Sequence, residues 1–520
     1  MSSQPVKYPV GIQTFEKIRE GGYLYIDKTA LVHKLANSSQ YVFLNRPRRF
    51  GKSLLLSTFK AYFEGRRELF DGLDISRMET QWTPHPVIRI DFTGESYERP
   101  EKLREKLNVL LGEYEAIYGH SPEDTTIGLR LRRLIQNAHK ATGKKAVVLI
   151  DEYDKPLLDS VHDDDLSESF RTDLQGFYSV IKESDEHIRF AMLTGVGKFG
   201  HVSIFSGLNN LNDISLDDDY NTVCGISETE FRRDFPTSVR DFAQTRGLTE
   251  EEVWQRFRAN YDGYHFSKSG EGLYNPFSVL LAFQKNEIDD YWFQSGTPTF
   301  LVKTIQKYNY PLDALEGAVV SRDDLSDITD PGNNFYALFY QTGYLTIKGF
   351  EPQTREYVLG FPNDEVRTGF WNVLFRQYVL MRQPRSVFGI SAFVSDVNSG
   401  NPDAFMERLQ ALVATISPGT EKGKEIHFQN IVQVIFHMLG FQVHTEIRSA
   451  YGRCDMIVET ATHVYILEFK IDSTPQCALR QIRDKGYAAP FAADPRRVFL
   501  IGANFSTVTD TLDGYLVEEA

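Results

Sequence analysis

Cysteine is scarce in this chain of 520 residues: Cys224, Cys454 and Cys477 are the only three, too widely spaced for a thiolate metal cage or a disulfide framework. All three read as packing residues suited to a reducing compartment. No run of about 18 apolar residues occurs, which argues against a membrane-spanning helix. The opening MSSQPVKYPV has no apolar core of signal-peptide length, so the expectation is a cytoplasmic protein with no membrane partner. A basic coat is missing as well. With a formal net charge of -14, any contact with nucleic acid has to come from a local basic site or from metal-bridged phosphates. No internal repeat or low-complexity tract stands out. The remainder, 41% hydrophobic and 25% charged, is the make-up of a globular protein too long for one core, and its length points to about three domains.

The chain is organised around Val147-Val-Leu-Ile-Asp-Glu-Tyr-Asp154. Its apolar run has no polar alternation, so it reads as a strand buried on both faces that delivers Asp151 and Glu152 at its carboxyl end. Parallel sheets place their chemistry there. Upstream, Tyr41-Val-Phe-Leu-Asn45 reads as a strand, Arg46-Pro-Arg-Arg-Phe-Gly-Lys-Ser53 as a loop and Leu54 to Phe63 as an apolar helix, the order of a P-loop. Gly51 lets the backbone approach phosphate, the amides of Lys52 and Ser53 point at the anion, Lys52 supplies charge and the Ser53 hydroxyl can ligate Mg2+. Arg49, Phe50, Gly51, Lys52, Ser53 and Leu54 form the candidate nucleotide-binding set. The loop departs from the usual pattern at Arg46, where glycine is expected, and at Pro47, which has no N–H to give. With a P-loop in place, Asp151 becomes the residue that holds Mg2+ through water, and Glu152 the candidate base for the attacking water. Ile188 to Thr194 is a further strand. In ATPases of the additional-strand class a polar residue ending that strand senses the γ-phosphate, which makes Thr194 the first candidate and Lys198 the second.

Asn45 to Ser53, Leu149 to Pro156, Thr194-Gly-Val-Gly-Lys-Phe199 and Phe205 to Asn210 together resemble the AAA-ATPase-like family, bacterial proteins with an N-terminal P-loop domain and a C-terminal PD-(D/E)xK nuclease-superfamily domain. Gly225 to Phe231, Tyr261 to Phe266 and Tyr274 to Ser278 continue the likeness, which covers nearly the whole chain. The resemblance implies an α/β fold: an AAA-type core of the additional-strand class over 1–225, a helical lid over 226–300 and a nuclease-like α/β domain over 386–520. The lid should offer an arginine to the nucleotide or to a neighbouring subunit, and Arg232, Arg233, Arg256 and Arg258 are all available. Between lid and nuclease, 301–385 reads as helix then β-hairpin, a winged-helix-like connector. Its hairpin carries few basic residues, which favours packing over DNA binding.

The second chemical centre follows Ser417-Pro-Gly-Thr420. Phe428 to Leu439 reads as a helix, and Phe441 to Ile447, Cys454 to Glu459 and His463 to Ile471 as strands. A hairpin brings Asp455 near Glu468, and period-two alternation puts Glu468 and Lys470 on one face. Two carboxylates with the carbonyl of Phe469 make a hard oxygen site for Mg2+ or Mn2+, and Lys470 can position or activate water. An isolated E-x-K triplet is common on strand surfaces, so the weight comes from its setting. Resemblance to the nuclease superfamily adds Gln481, on a helix from Pro475 to Tyr487, as a contact to the scissile phosphate. Glu446 belongs to the same pattern, and Glu425 reads as a further metal carboxylate or as an exposed helix-start acid.

The expectation is an ATP-binding, ATP-hydrolysing protein that regulates a metal-dependent nuclease acting on DNA or RNA, with homo-oligomerisation allowed. The alternative is a nucleotide-switched binding protein whose nuclease fold docks nucleic acid or a partner without cutting.

Overall fold

The structure, a computed structural model, describes residues 6–161, 163–198, 210–295, 301, 304–305, 308, 310, 312–326, 328, 335–379, 390–414, 430–436, 441–449, 452–509 and 511–520. The chain divides into two compact units, 1–295 with 317–366, and 296–316 with 367–520.

The first unit is built on a parallel sheet in the order β2-β3-β4-β1-β5, from β1 (Tyr41–Asn45), β2 (Val87–Asp91), β3 (Ala146–Asp151), β4 (Ile188–Gly195) and β5 (Asn212–Asp213). Every residue of β3 is buried, as its unbroken apolar text requires. β4 is the additional strand, inserted between β3 and β1. The register pairs Leu44 with Thr194, Asn45 with Gly195 and Asp91 with Asp151, so the loop after β1, the acids after β3 and the threonine of β4 end at one edge. Helices Lys52–Phe63, Pro100–Tyr118, Ile127–Thr142 and Asp164–Glu183 belong to the same unit. In helix Thr29–Ser38, Thr29 is the first helical residue and not the cap: its amide and hydroxyl donate to the Asp27 carboxylate at 2.8 and 2.6 Å.

Helices between Glu228 and Gln294 enclose an aromatic core of Phe231, Phe235, Phe242, Phe257, Tyr261 and Phe283. Ser227 and Thr249 start two of them with capping boxes closed by Glu230 and Glu252. The β-ribbons Ile226–Ser227 (β6) and Leu273–Tyr274 (β7) pair beside this core. Helix Phe335–Thr342 then leads into a three-stranded antiparallel sheet of β8 (Val319–Val320), β10 (Glu356–Gly360) and β9 (Thr346–Glu351). Gly343 stands where this helix meets the P-loop, since a Cβ there would lie 2.6 Å from Pro47 Cβ.

The second unit carries a five-stranded sheet in sequence order, β11 (Gln442–Ser449), β12 (Gly452–Glu459), β13 (His463–Ile471), β14 (Arg497–Ser506) and β15 (Thr511–Glu519). Only β13 and β14 run parallel, and the crossover they need is helix Pro475–Asp484, capped by Thr474. That helix lies flush on the sheet at Gly502, where a Cβ would fall 2.4 Å from the Pro475 carbonyl oxygen. Its Leu479 and Ile482 pack with Cys454, Ile457 and Ile466 of the strands. β15 was not among the strands read from the sequence. Only half-buried for most of its length and interrupted by Asp513-Gly514, it pairs antiparallel along the outside of β14.

Glu365, at the start of helix Asp364–Val379, is 1% exposed. Its carboxyl accepts the Trp292 amide N–H at 2.6 Å and faces the Ser278 hydroxyl at 2.9 Å. Burial pushes this carboxyl from an ordinary 4.5 up to about 8. The folded chain therefore holds a proton that the unfolded chain releases above about 4.5, and the contribution to stability is full below that pH and lost as pH rises toward 8. Glu365→Gln should remove this loss. Between pH 5 and pH 8 the variant should gain on the order of 3 kcal/mol relative to the wild type in urea unfolding followed by tryptophan fluorescence; parallel pH profiles would refute the assignment.

Candidate functional site

The loop after β1 begins inward. Arg46 is 1% exposed and points away from the phosphate side: its guanidinium donates to the carbonyls of Asn45 and Ser215 at 2.9 and 2.8 Å and stacks 4.3 Å from the Phe266 ring centroid. The residue in the first glycine position is thus an anchor for the loop. Pro47 packs on Gly343, and the Arg48 carbonyl accepts the Trp292 indole N–H at 3.1 Å. Arg49 takes φ 68°, and Gly51, at φ 96°, opens helix Lys52–Phe63. Lys52 is buried, its ammonium donating to the carbonyls of Arg46 and Pro47 at 2.8 and 3.0 Å; burial pushes its pKa down.

A cleft of about 430 Å3 opens over this loop, lined by Arg48, Arg49, Lys52, Ser53 and Glu152 on one side and by Pro9 to Gln13 and Phe277 on the other. Arg49 stacks over Phe277, 4.8 Å from the ring centroid. An apolar pocket of about 90 Å3 adjoins it, sharing Pro9, Gly51 and Leu54 and lined further by Phe50, Ile26 and Val223. One end is cationic with hydroxyl and amide donors, the other apolar, a division that suits a triphosphate joined to a flat base.

Asp151 is fully buried; one carboxylate oxygen accepts the Thr194 hydroxyl at 2.9 Å and the other the Arg89 guanidinium at 3.2 Å. Thr194 is fully buried too, and neither it nor Asp151 forms part of the cleft wall. Glu152 lines the cleft at φ 50°, a left-handed backbone, and burial raises its pKa against the pull of Lys52. The turn that carries it is zipped to the loop after β4. Tyr153 N–H donates to the Thr194 carbonyl at 3.0 Å, Tyr153 O–H to the Gly197 carbonyl at 2.8 Å, and the Asp154 carboxylate accepts the amides of Val196 and Gly197 at 2.9 and 2.7 Å. Burial pushes Asp154 up to about 6. Lys198 is paired with Asp213, and its amide donates to Gln341 at 2.5 Å. None of Arg232, Arg233, Arg256 and Arg258 lines the cleft; Arg232 pairs with Glu228, Arg233 with Asp234 and Arg258 with Asp262.

In the second unit, the β12–β13 hairpin brings Asp455, Glu468 and Lys470 together. The Asp455 amide faces Glu468 at 3.4 Å, the Phe469 amide donates to the Asp455 carboxylate at 2.7 Å, and the Lys470 ammonium meets Glu468 at 2.8 Å. Glu468 is 1% exposed, and burial raises its pKa despite Lys470. Gln481, from the crossover helix, hydrogen-bonds Glu468 and faces the Tyr487 hydroxyl at 3.5 Å. Burial pushes the neighbouring Cys454 thiol up to about 12, which leaves it inert. Among the described residues no group of three or more His, Cys, Asp and Glu side chains gathers. The described donors are two carboxylates, Asp455 and Glu468, with backbone oxygen, a hard set that fits Mg2+ or Mn2+. Glu425, the Glu446 side chain, the stretch Phe205 to Asn209 and the turn Ser417 to Thr420 lie outside the described residues.

Arg48, Arg89, Asp154 and Trp292 were missed as site residues by sequence reasoning. The Arg46-Pro-Arg-Arg run was a signal for Arg48; nothing local points to Arg89 or Trp292, which reach the site from other elements. Among the described residues no helix is long and apolar enough to cross a membrane.

Residues 9–205 match the family model of a predicted AAA-ATPase, and residues 423–513 that of the PD-(D/E)XK nuclease superfamily. The chain is 39% identical to the "Uncharacterized protein in vnfD 5'region" of Azotobacter chroococcum mcd 1, over 98% of this chain and 99% of that protein. Among solved structures it is similar to the Aeropyrum pernix ORC1 protein in complex with DNA (10% identity, 67% of this chain, 92% of that one, TM-score 0.23). The Aeropyrum pernix ORC2 protein is similar at 9% identity, 72% of this chain, 96% of that one and TM-score 0.24, and likenesses this loose place no residue. An additional-strand parallel sheet behind a P-loop, a mixed sheet carrying Asp455, Glu468 and Lys470, and a relative matched end to end put this chain in the family of predicted AAA-ATPases with a C-terminal PD-(D/E)XK nuclease-superfamily domain.

Proposed function

We propose that the protein binds and hydrolyses ATP and that its nucleotide state governs a metal-dependent nuclease acting on the phosphodiester bonds of DNA or RNA. The observation that carries the reading is the presence in one chain of two separate acid constellations, each beside a lysine: Asp151 and Glu152 near Lys52, and Asp455 and Glu468 beside Lys470. In the first, Lys52 neutralises the phosphates, Thr194 and Arg89 orient Asp151, and Glu152 takes the proton of the attacking water. In the second, Lys470 positions water and Gln481 contacts the scissile phosphate. Ser53 and Asp151, and Asp455, Glu468 and the Phe469 carbonyl, would hold Mg2+ or Mn2+, which supplies charge neutralisation at the transferred phosphoryl group.

The nucleotide loops rest, within their own unit, on the segments around Trp292 and Gly343. Pro47 packs on Gly343, the Lys198 amide on Gln341, and the Arg48 carbonyl on Trp292, whose own amide holds Glu365 at the head of helix Asp364–Val379. A second reading is favoured by one contact. The Lys470 ammonium is committed to Glu468, an arrangement that suits a nuclease fold docking nucleic acid without cutting it.

Lys52→Ala should weaken ATP binding about 10- to 100-fold, the loss of one charge-assisted contact, in titration calorimetry. Unchanged affinity would sink the nucleotide site. Glu152→Gln should leave ATP affinity within a few-fold and lower phosphate release by about 100-fold or more. With Mg2+ or Mn2+ the wild type should cut DNA or RNA, and Asp455→Asn or Lys470→Ala should lower the rate at least ~100-fold while nucleic-acid binding persists. Binding by wild type and both variants with no cleavage by any would leave the non-cutting reading standing.

A further inference from the structure

The P-loop has given up amide donors and gained guanidinium groups. Pro47 has no N–H, and two residues that line the phosphate end of the cleft are Arg48 and Arg49. Arg49 is occupied by the Phe277 ring. The Arg48 side chain is exposed and makes no hydrogen bond or ion pair among the described residues. Its backbone, by contrast, is fixed from outside the loop, through the Trp292 indole on its carbonyl at 3.1 Å and through Pro47 against Gly343. Arg48 also starts one peptide from the place where Lys52 meets the loop, since the Lys52 ammonium sits 3.0 Å from the Pro47 carbonyl oxygen. A P-loop lysine reaches the β- and γ-phosphates. A guanidinium rooted next to that ammonium can therefore cover the γ-phosphate, and its charge is felt at Glu152, which lines the same cleft. The lid arginines that could have filled this role do not line the cleft.

We propose that Arg48 is a catalytic residue for ATP hydrolysis, an arginine finger supplied in cis by the P-loop itself, whose guanidinium binds the γ-phosphoryl oxygens in the transition state. This rests on the reading of the cleft as an ATPase site. As water oxygen bonds to the γ-phosphorus and its proton passes to Glu152, the bond to the β–γ bridging oxygen breaks and its electron pair leaves with ADP. Arg48 donates to the equatorial oxygens through that exchange, which a five-donor planar fork does better than an ammonium.

The test uses the full chain with Mg2+, ADP, ATP and aluminium fluoride. The wild type should bind ADP more tightly when aluminium fluoride is added. Arg48→Ala and Arg48→Gln should bind ADP within about three-fold of wild type, which also shows that they are folded, yet lose the fluoride-dependent tightening and about 1,000-fold in kcat. Arg48→Lys should recover only part of either. If Arg48→Ala keeps the tightening, if its ADP and ATP affinities fall by as much as kcat, or if wild type binds ADP with no tightening, Arg48 is not a transition-state ligand. A wild type that binds neither ADP nor ATP would instead overturn the ATPase reading itself, and this assignment with it.

Discussion

Burial of charge at the carboxyl edge of one parallel sheet is the constraint around which the first unit is built. Arg46, Lys52, Asp151 and Asp154 are 1%, 5%, 0% and 0% exposed. An ion in such a place is tolerated only when hydrogen bonds or opposite charge replace the water it has lost. Here the replacements come from loops and from the flanking strands: carbonyls of the 215–221 segment for Arg46, carbonyls of the P-loop for Lys52, Thr194 of β4 and Arg89 of β2 for Asp151, and the amides of Val196 and Gly197 for Asp154. Removing one partner of a buried charge costs ~3–5 kcal/mol, so these bonds fix the conformation of the loops that make them. The cleft is shaped by the compensation of its own charges.

The second unit meets the same demand with shorter-range means. Glu468 is compensated by Lys470 two residues on, by the Asp455 amide across the hairpin and by Gln481 from the crossover helix. Strand alternation alone puts Glu468 and Lys470 side by side, and hairpin pairing brings Asp455 to them. This local origin explains why that constellation could be read from sequence while much of the nucleotide site could not.

The parallel core, the P-loop helix, the buried Asp151 strand and the β12–β13 hairpin were legible because each is written in a continuous stretch with a clear period. What escaped was written across long separations. Arg46 looked like a defect in a glycine position, because the carbonyls that receive it lie about 170 residues later. Trp292, Gln341 and Glu365 carry no local sign that they meet the nucleotide loops or the lid. β15 escaped because an edge strand half open to water lacks the buried face that gives a strand its pattern.

Backbone strain points to the same side of the molecule. Arg49 and Glu152 both sit in left-handed conformation, at φ 68° and 50°, and both line the cleft. A non-glycine residue held there costs on the order of 1 kcal/mol or more, which glycine would remove. The chain nonetheless keeps an arginine and a glutamate at these points, one against Phe277 and the other within the field of Lys52 and Arg48. At both positions the side chain outweighs the strain of the backbone, and a cation and an acid line one cleft as a result.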